Sequence, residues 1–168
     1  AIGILIGACS EKKLILQTKE VKLESPEQIF PLGDSTARPI LYQNIPSFES
    51  LTVDQSKEKF IAAVLPAILV SKYRMNQDRE KIQFILAQEE WTAEDSAFFH
   101  YQLDRFDTDN PDQLLKRMLT HPNSIVLVQA AVESGWGSSR FFQEANNLFG
   151  IWSYNANEPR IEASYSRG

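Results

Sequence analysis

Glu133 sits where a carboxyl group can be tuned for proton transfer. It follows the apolar run from Ile125 to Val132, whose one polar interruption, Gln129, lies four residues earlier on the same helical face. Gly135 and Gly137 come next and can end the helix. A carboxylate in a last turn faces the negative end of the helix dipole, at a cost of about 0.3–1 kcal/mol when exposed. Burial beside Val132 and Trp136 would favour the neutral, protonated form further. A carboxylic acid that keeps its proton near neutral pH is a general acid. The same spacing also fits a solvated helix-end glutamate contacting Arg140, and spacing alone does not separate the two.

Other constellations fail on their own chemistry. Ser134 lacks the glycine two residues upstream that a nucleophile elbow needs. Gly135-Trp136-Gly137 lacks the strand and the spacing of a dinucleotide loop. His100 and His121 are far apart and Cys9 is the single cysteine, so neither a conventional zinc site nor an internal disulfide framework is expected. The reading therefore calls for no metal and no cofactor. With 22 Asp+Glu against 17 Lys+Arg the formal charge is −5, and the sequence pI of about 5.1 argues against a nucleic-acid binder, which usually needs a basic footprint.

Helices must position Glu133. The 168 residues are 43% hydrophobic, enough for one domain with a sizeable core. Phe60, Ala63, Val64, Ala67, Ile68 and Ser71 recur at spacings of three and four, so strong helical signals begin at Ser56. Pro66 falls inside this pattern and should kink it or begin a new turn. Thr92-Ala93-Glu94-Asp95 reads as an N-cap followed by first-turn acids. Asn110-Pro111 reads as a cap with proline at the first helical position. Pro122 starts a helix that is apolar nearly all round, hence expected to be central and buried. Ser138 or Ser139 caps one more, running to about Ala145. Leu148–Tyr154 and the last residues read as extended. The expected fold is mainly α, with a small β element near the C-terminus.

The start of the chain reads differently. Ala1-Ile2-Gly3-Ile4-Leu5-Ile6-Gly7-Ala8-Cys9 is too short to span a membrane, and no run of 18 apolar residues occurs anywhere. Ile6-Gly7-Ala8-Cys9 resembles a bacterial lipobox, without the basic region that precedes one. On that reading Cys9 is lipidated, the protein is exported, and its membrane contact is a lipid anchor at Cys9. The alternative is a buried element with an ordinary cysteine. Pro26, Pro31, Pro39 and Pro46 punctuate the next stretch, read as an extended linker that meets the domain near Pro39. Residues 1–38 are thus assigned to a signal remnant and linker, and 39–168 to the domain.

The string Val128-Gln129-Ala130-Ala131-Val132-Glu133-Ser134-Gly135-Trp136-Gly137-Ser138-Ser139-Arg140-Phe141, followed by Asn146-Asn147-Leu148-Phe149-Gly150-Ile151-Trp152, resembles the glucosaminidase domains of bacterial cell-wall hydrolases. The Bax-type branch is the nearest match, and Pro39–Tyr42 and Lys59–Leu69 look like it too. The resemblance implies a lysozyme-like helical fold and cleavage of peptidoglycan glycan strands after N-acetylglucosamine, in a periplasmic or other envelope setting. It implies that Glu133 is the catalytic acid, where the physical reading had also put it.

A glycosidase normally needs a second carboxylate. The resemblance directs attention to the region after Asn146-Asn147-Leu148-Phe149-Gly150, where Glu158 and Glu162 are candidates. Glu162 is preferred, in the alternating Arg160–Tyr165 stretch. Trp136 and Tyr154 are the candidates for sugar contact, while Phe141, Phe142 and Phe149 read as core. The family pattern leads one to expect a closing helical segment beyond Gly168, and hence a C-terminally truncated domain. Two further functions stay open: lytic transglycosylase-like cleavage, and a non-catalytic glycan-binding envelope lipoprotein.

Overall fold

The computed structural model describes residues 16–151 together with Asn157 and Ile161. Its spine is a 34-residue helix, α1 (Val53–Leu86), about 50 Å long. Thr52 starts it: the Thr52 amide donates to Gln55 Oε1 at 3.0 Å, and the Gln55 amide donates to Thr52 Oγ1 at 3.4 Å. Helix onset therefore precedes Ser56. Pro66 is buried within α1, and the helical assignment runs through it without a break.

Two separate apolar clusters form along this spine. Phe60, Ala63, Val64 and Ile68 on the first half pack with Leu23, Ile29, Ile45, Phe48, Ala130, Ala131 and Phe142. Ile82, towards the other end, packs with Phe99, Leu114 and Met118. The second cluster is built from α2 (Ala93–Arg105) and α3 (Pro111–Arg117), which begin at the expected caps. Thr92 accepts from the Asp95 amide at 3.1 Å and Asn110 from the Gln113 amide at 3.0 Å. Gln102 of α2, 1% exposed, donates to Asp78 Oδ2 on α1 and accepts from Arg105, each at 3.4 Å.

The fold is mainly helical with a small two-stranded sheet towards the start of the described residues, and most of the stretch in which a C-terminal β element was expected lies outside them. β1 (Lys19–Val21) pairs in parallel with β2 (Ile40–Tyr42), with Lys19 opposite Ile40. Leu148–Ile151 form a turn and no strand. Parallel pairing of three-residue strands across an 18-residue connection leaves little local signal in sequence. Asn44 reinforces it, accepting from the Leu23 amide at 2.9 Å and donating to Leu23 O at 2.8 Å.

The stretch read as an extended linker is packed well before Pro39. Leu23 and Ile29 are 3% and 1% exposed within the first core. Lys59 Nζ, on α1, donates to Ile29 O at 3.1 Å. Proline spacing had suggested an extended linker up to about Pro39, whereas Leu23 and Ile29 already pack in the core built on α1. No helix among the described residues is long and apolar enough to cross a membrane.

Candidate active site

Helix α4 (Asn123–Ser134) lies against α1 and carries Glu133 in its last turn. Ala130, Ala131 and Ser134 form its buried face, and their small side chains let the two helices approach closely. Glu133 lies beside that face and is exposed. The expectation of a central helix buried all round is therefore corrected. Ile125, Val128 and Val132 are 50%, 62% and 72% exposed, respectively. Apolar content measures what a helix can bury, and the described residues cover only the side facing α1. The apolar burial of Glu133 expected from Val132 and Trp136 is absent from the described structure.

Directly after Glu133 the chain makes a tightly specified turn. Gly135, Trp136 and Gly137 have φ of +57°, +56° and +84°. Left-handed backbone suits the glycines, but an aromatic residue there is strained by about 1–2 kcal/mol. Ser134 helps hold the turn: its hydroxyl donates to Ala130 O at 2.6 Å and accepts from the Gly137 amide at 3.1 Å. The Trp136 amide donates to Ala131 O at 2.8 Å, and the Ser139 amide to Ser134 O at 2.9 Å. A Cβ on Gly137 would lie 3.1 Å from the rings of both Phe142 and Phe60.

Ser139 then caps α5 (Arg140–Ala145), accepting from the Phe142 amide at 3.2 Å. Arg140 pairs with Glu144 at 3.6 Å. Asn146 ends α5 in left-handed backbone at φ +51° and donates to Gln43 O at 2.7 Å, tying this helix to the end of β2. Asn147 clasps the next turn, accepting from the Ile151 amide and donating to its carbonyl, both at 2.9 Å. Of the three phenylalanines read as core, Phe142 is buried and Phe141 half-buried, while Phe149 is 40% exposed at the edge of the described chain.

Trp136 is 38% exposed and meets the edge of Phe60 at 5.7 Å between ring centroids. Lys57 Nζ stands 5.4 Å from the Trp136 ring centroid. Trp136 walls a cavity of about 290 Å³ bounded also by Phe48, Glu49, Lys57, Ser138 and Gln143. Glu133 is not among its lining residues. A second cavity, about 330 Å³ and largely apolar, lies between Val64, Ile68, Lys72, His121, Val126 and Phe149. Val126 is seven residues before Glu133 and therefore on the same side of α4.

Sequence reasoning had no route to Lys57 or to the Ser47–Leu51 loop, because their meeting with Trp136 is a long-range contact. Cys9, Tyr154, Glu158 and Glu162 lie outside the described residues. The histidines carry no chemistry that the site uses: both are exposed, and His100 Nδ1 lies 2.7 Å from Ser96 O within its own helix. Among the described residues no cluster of His, Cys, Asp or Glu is arranged to hold a metal ion.

Comparison with known proteins places this geometry in a family context. Residues 112–167, which include α4 and the turn after Glu133, match the family model described as mannosyl-glycoprotein endo-beta-N-acetylglucosaminidase. The chain is also similar to "Protein bax" of Escherichia coli (strain K12), with 29% identity over 103 residues. That match covers 56% of this chain and 38% of the relative, so the chain spans well under half of the relative's length. No solved structure matches the chain significantly.

Proposed function

We propose that this chain, whose residues 112–167 carry glucosaminidase-family sequence, is a glycoside hydrolase acting on the glycan strands of peptidoglycan. The bond cleaved is the β-1,4 linkage after N-acetylglucosamine. Glu133 is the general acid, donating its proton to the leaving glycosidic oxygen as an oxocarbenium-like centre develops on the sugar. The observation that carries this reading is the position of Glu133. It is an exposed carboxyl on the last turn of α4, immediately before a turn fixed by Ser134, inside the segment that the family model matches. An exposed carboxyl can meet a polymeric substrate, and a rigid following turn keeps its helix end in place.

Glu162 is the second carboxylate in this reading, as nucleophile or as the base that activates water. Trp136 and Tyr154 contact sugar rings. No cofactor takes part. The protein works at the bacterial cell envelope, on the periplasmic side, with acyl chains on Cys9 as its membrane attachment.

The test combines activity with product mass. The full chain and its Glu133→Gln variant are incubated with purified peptidoglycan, and the soluble fragments are weighed. Hydrolysis adds one water per bond cleaved, whereas a lytic transglycosylase releases an anhydro sugar of lower mass. Hydrated fragments ending in N-acetylglucosamine, from wild type only, support the proposal. Anhydro fragments would replace hydrolysis by the transglycosylase reaction. Glycan binding without turnover by either protein would leave a non-catalytic envelope lipoprotein.

A further inference from the structure

The far end of α1 carries an exposed aromatic face that the proposed reaction does not use. Phe84 on α1 and Tyr101 on α2 are 67% and 61% exposed. They flank one junction between the two helices. Lys81 Nζ stands 4.3 Å from the Phe98 ring centroid and 3.8 Å from Glu94 Oε1, which sets α1 and α2 side by side there. Phe84 comes three residues after Lys81 and Tyr101 three after Phe98, so each extends the junction by one turn of its own helix. A lone exposed aromatic residue needs no explanation. Two on adjacent helices, bracketing the half-buried Phe98, make an unpartnered face.

Charge decides what can cover it. Residues 87–113, which lead into α2 and on to the start of α3, hold eight acids and one base. That is a net charge of −7 where the whole chain carries −5, so all other residues together sum to +2. Among the described residues the ion pairs at this end are Lys81–Glu94 and Arg105–Asp78, which leave Glu89, Glu90 and Asp104 in none. A field of this sign repels anionic polymers, anionic membrane surfaces and the same face of a second copy. It attracts a cation-rich polypeptide. Apolar side chains presented by two helices side by side suit the apolar stripe of an amphipathic helix.

The face is also remote from Glu133. Phe84 lies 24 residues beyond Phe60, where Trp136 packs, and so about 36 Å along α1. A partner bound here leaves the Glu133 end open. We propose that the face around Phe84 and Tyr101 is a protein-docking surface whose occupant is a basic amphipathic helix of another protein.

This docking is separate from the chemistry at Glu133, and its test reads binding alone. The probe is a fluorescein-labelled amphipathic peptide of leucine and lysine at helical spacing, titrated with the full chain and followed by anisotropy. A leucine–glutamate peptide of the same pattern is the charge control. The basic peptide should bind and the acidic one should not, with affinity falling as salt rises. Phe84→Gln with Tyr101→Gln should weaken binding by about tenfold or more, with the circular dichroism spectrum retained because both side chains are exposed. Glu90→Gln with Asp104→Asn should weaken it about fivefold, at low salt only. Val132→Gln, which removes an exposed valine from α4, should change nothing. No binding, equal binding of the two peptides, or loss through Val132→Gln in place of the aromatic substitutions would overturn the proposal. So would Phe84-dependent binding to phosphatidylcholine vesicles, which would make the face a membrane contact.

Discussion

Ser134 and Gly137 share a hydrogen bond in the buried face behind Glu133, with the Gly137 amide donating to Ser134 Oγ at 3.1 Å. The Ser134 hydroxyl in turn donates a hydrogen bond to Ala130 O at 2.6 Å. One small side chain thus joins the last turn of α4 to the strained turn that follows. Its neighbour Glu133 points to solvent from that junction.

Ser134→Ala should therefore cost about 0.5–1.5 kcal/mol of stability, because the Gly137 amide loses the Ser134 hydroxyl and keeps only Ser134 O, at 3.2 Å. Urea unfolding of the variant measures it. Activity should fall further than stability explains, since the substitution loosens the turn beside the proposed acid.

Gly137→Ala meets two obstacles together. The backbone is left-handed at φ +84°, and the new methyl group would sit 3.1 Å from Phe142 and Phe60. Left-handed strain and overpacking together are expected to cost about 2–4 kcal/mol, read as a lowered Tm. Gly150→Ala is the comparison: it shares the positive φ but, among the described residues, has nothing within 4 Å of the new methyl. Its cost should be about 1 kcal/mol.

Thr52→Ala removes the cap on which α1 begins. The expected loss is about 1 kcal/mol. Amide exchange should show that loss concentrated in the first turn of α1.

Glu27 has its carboxyl held below the ordinary range, first by the Ser25 side-chain hydrogen bond, then by its own backbone amide, with Lys59 a smaller contributor. A depressed folded value means that the contribution is complete above the ordinary carboxylate range and is lost as pH falls through the folded value. Ser25→Ala should move the Glu27 titration midpoint upward, measured by carboxyl carbon NMR. An unchanged midpoint would contradict the hydrogen-bond cause.

Local chemistry was legible in the sequence. Thr92 and Asn110 cap helices where their types and spacing said they would, and Ser139 is the one of the two serines offered that caps α5, because capping depends on residues three apart. Thr52 and Gln55 carried the same signal for α1, although the apolar periodicity drew attention to Ser56. Burial was less legible. The run Ile125–Val132 is apolar on every side, but a helix buries only what another element reaches, and α1 reaches Ala130, Ala131 and Ser134. Leu23 and Ile29 show the converse, since the prolines around them suggested an extended linker and their burial depends on α1, some 30 residues away. For the candidate site, the sequence singled out Glu133 and Trp136. It did not bring Lys57 to Trp136, because that contact joins α1 to the turn after α4, far apart in sequence.

The central claim is that Glu133 donates the proton that breaks the glycan. Its most direct measurement is the rate at which new reducing N-acetylglucosamine ends appear in purified peptidoglycan, with the full chain and with Glu133→Gln at equal folded concentration. Wild type should generate these ends, and the variant should be slower by about 10²–10⁴-fold, the usual worth of a positioned general acid. Equal rates from the two proteins would contradict that assignment and move the chemistry to another residue.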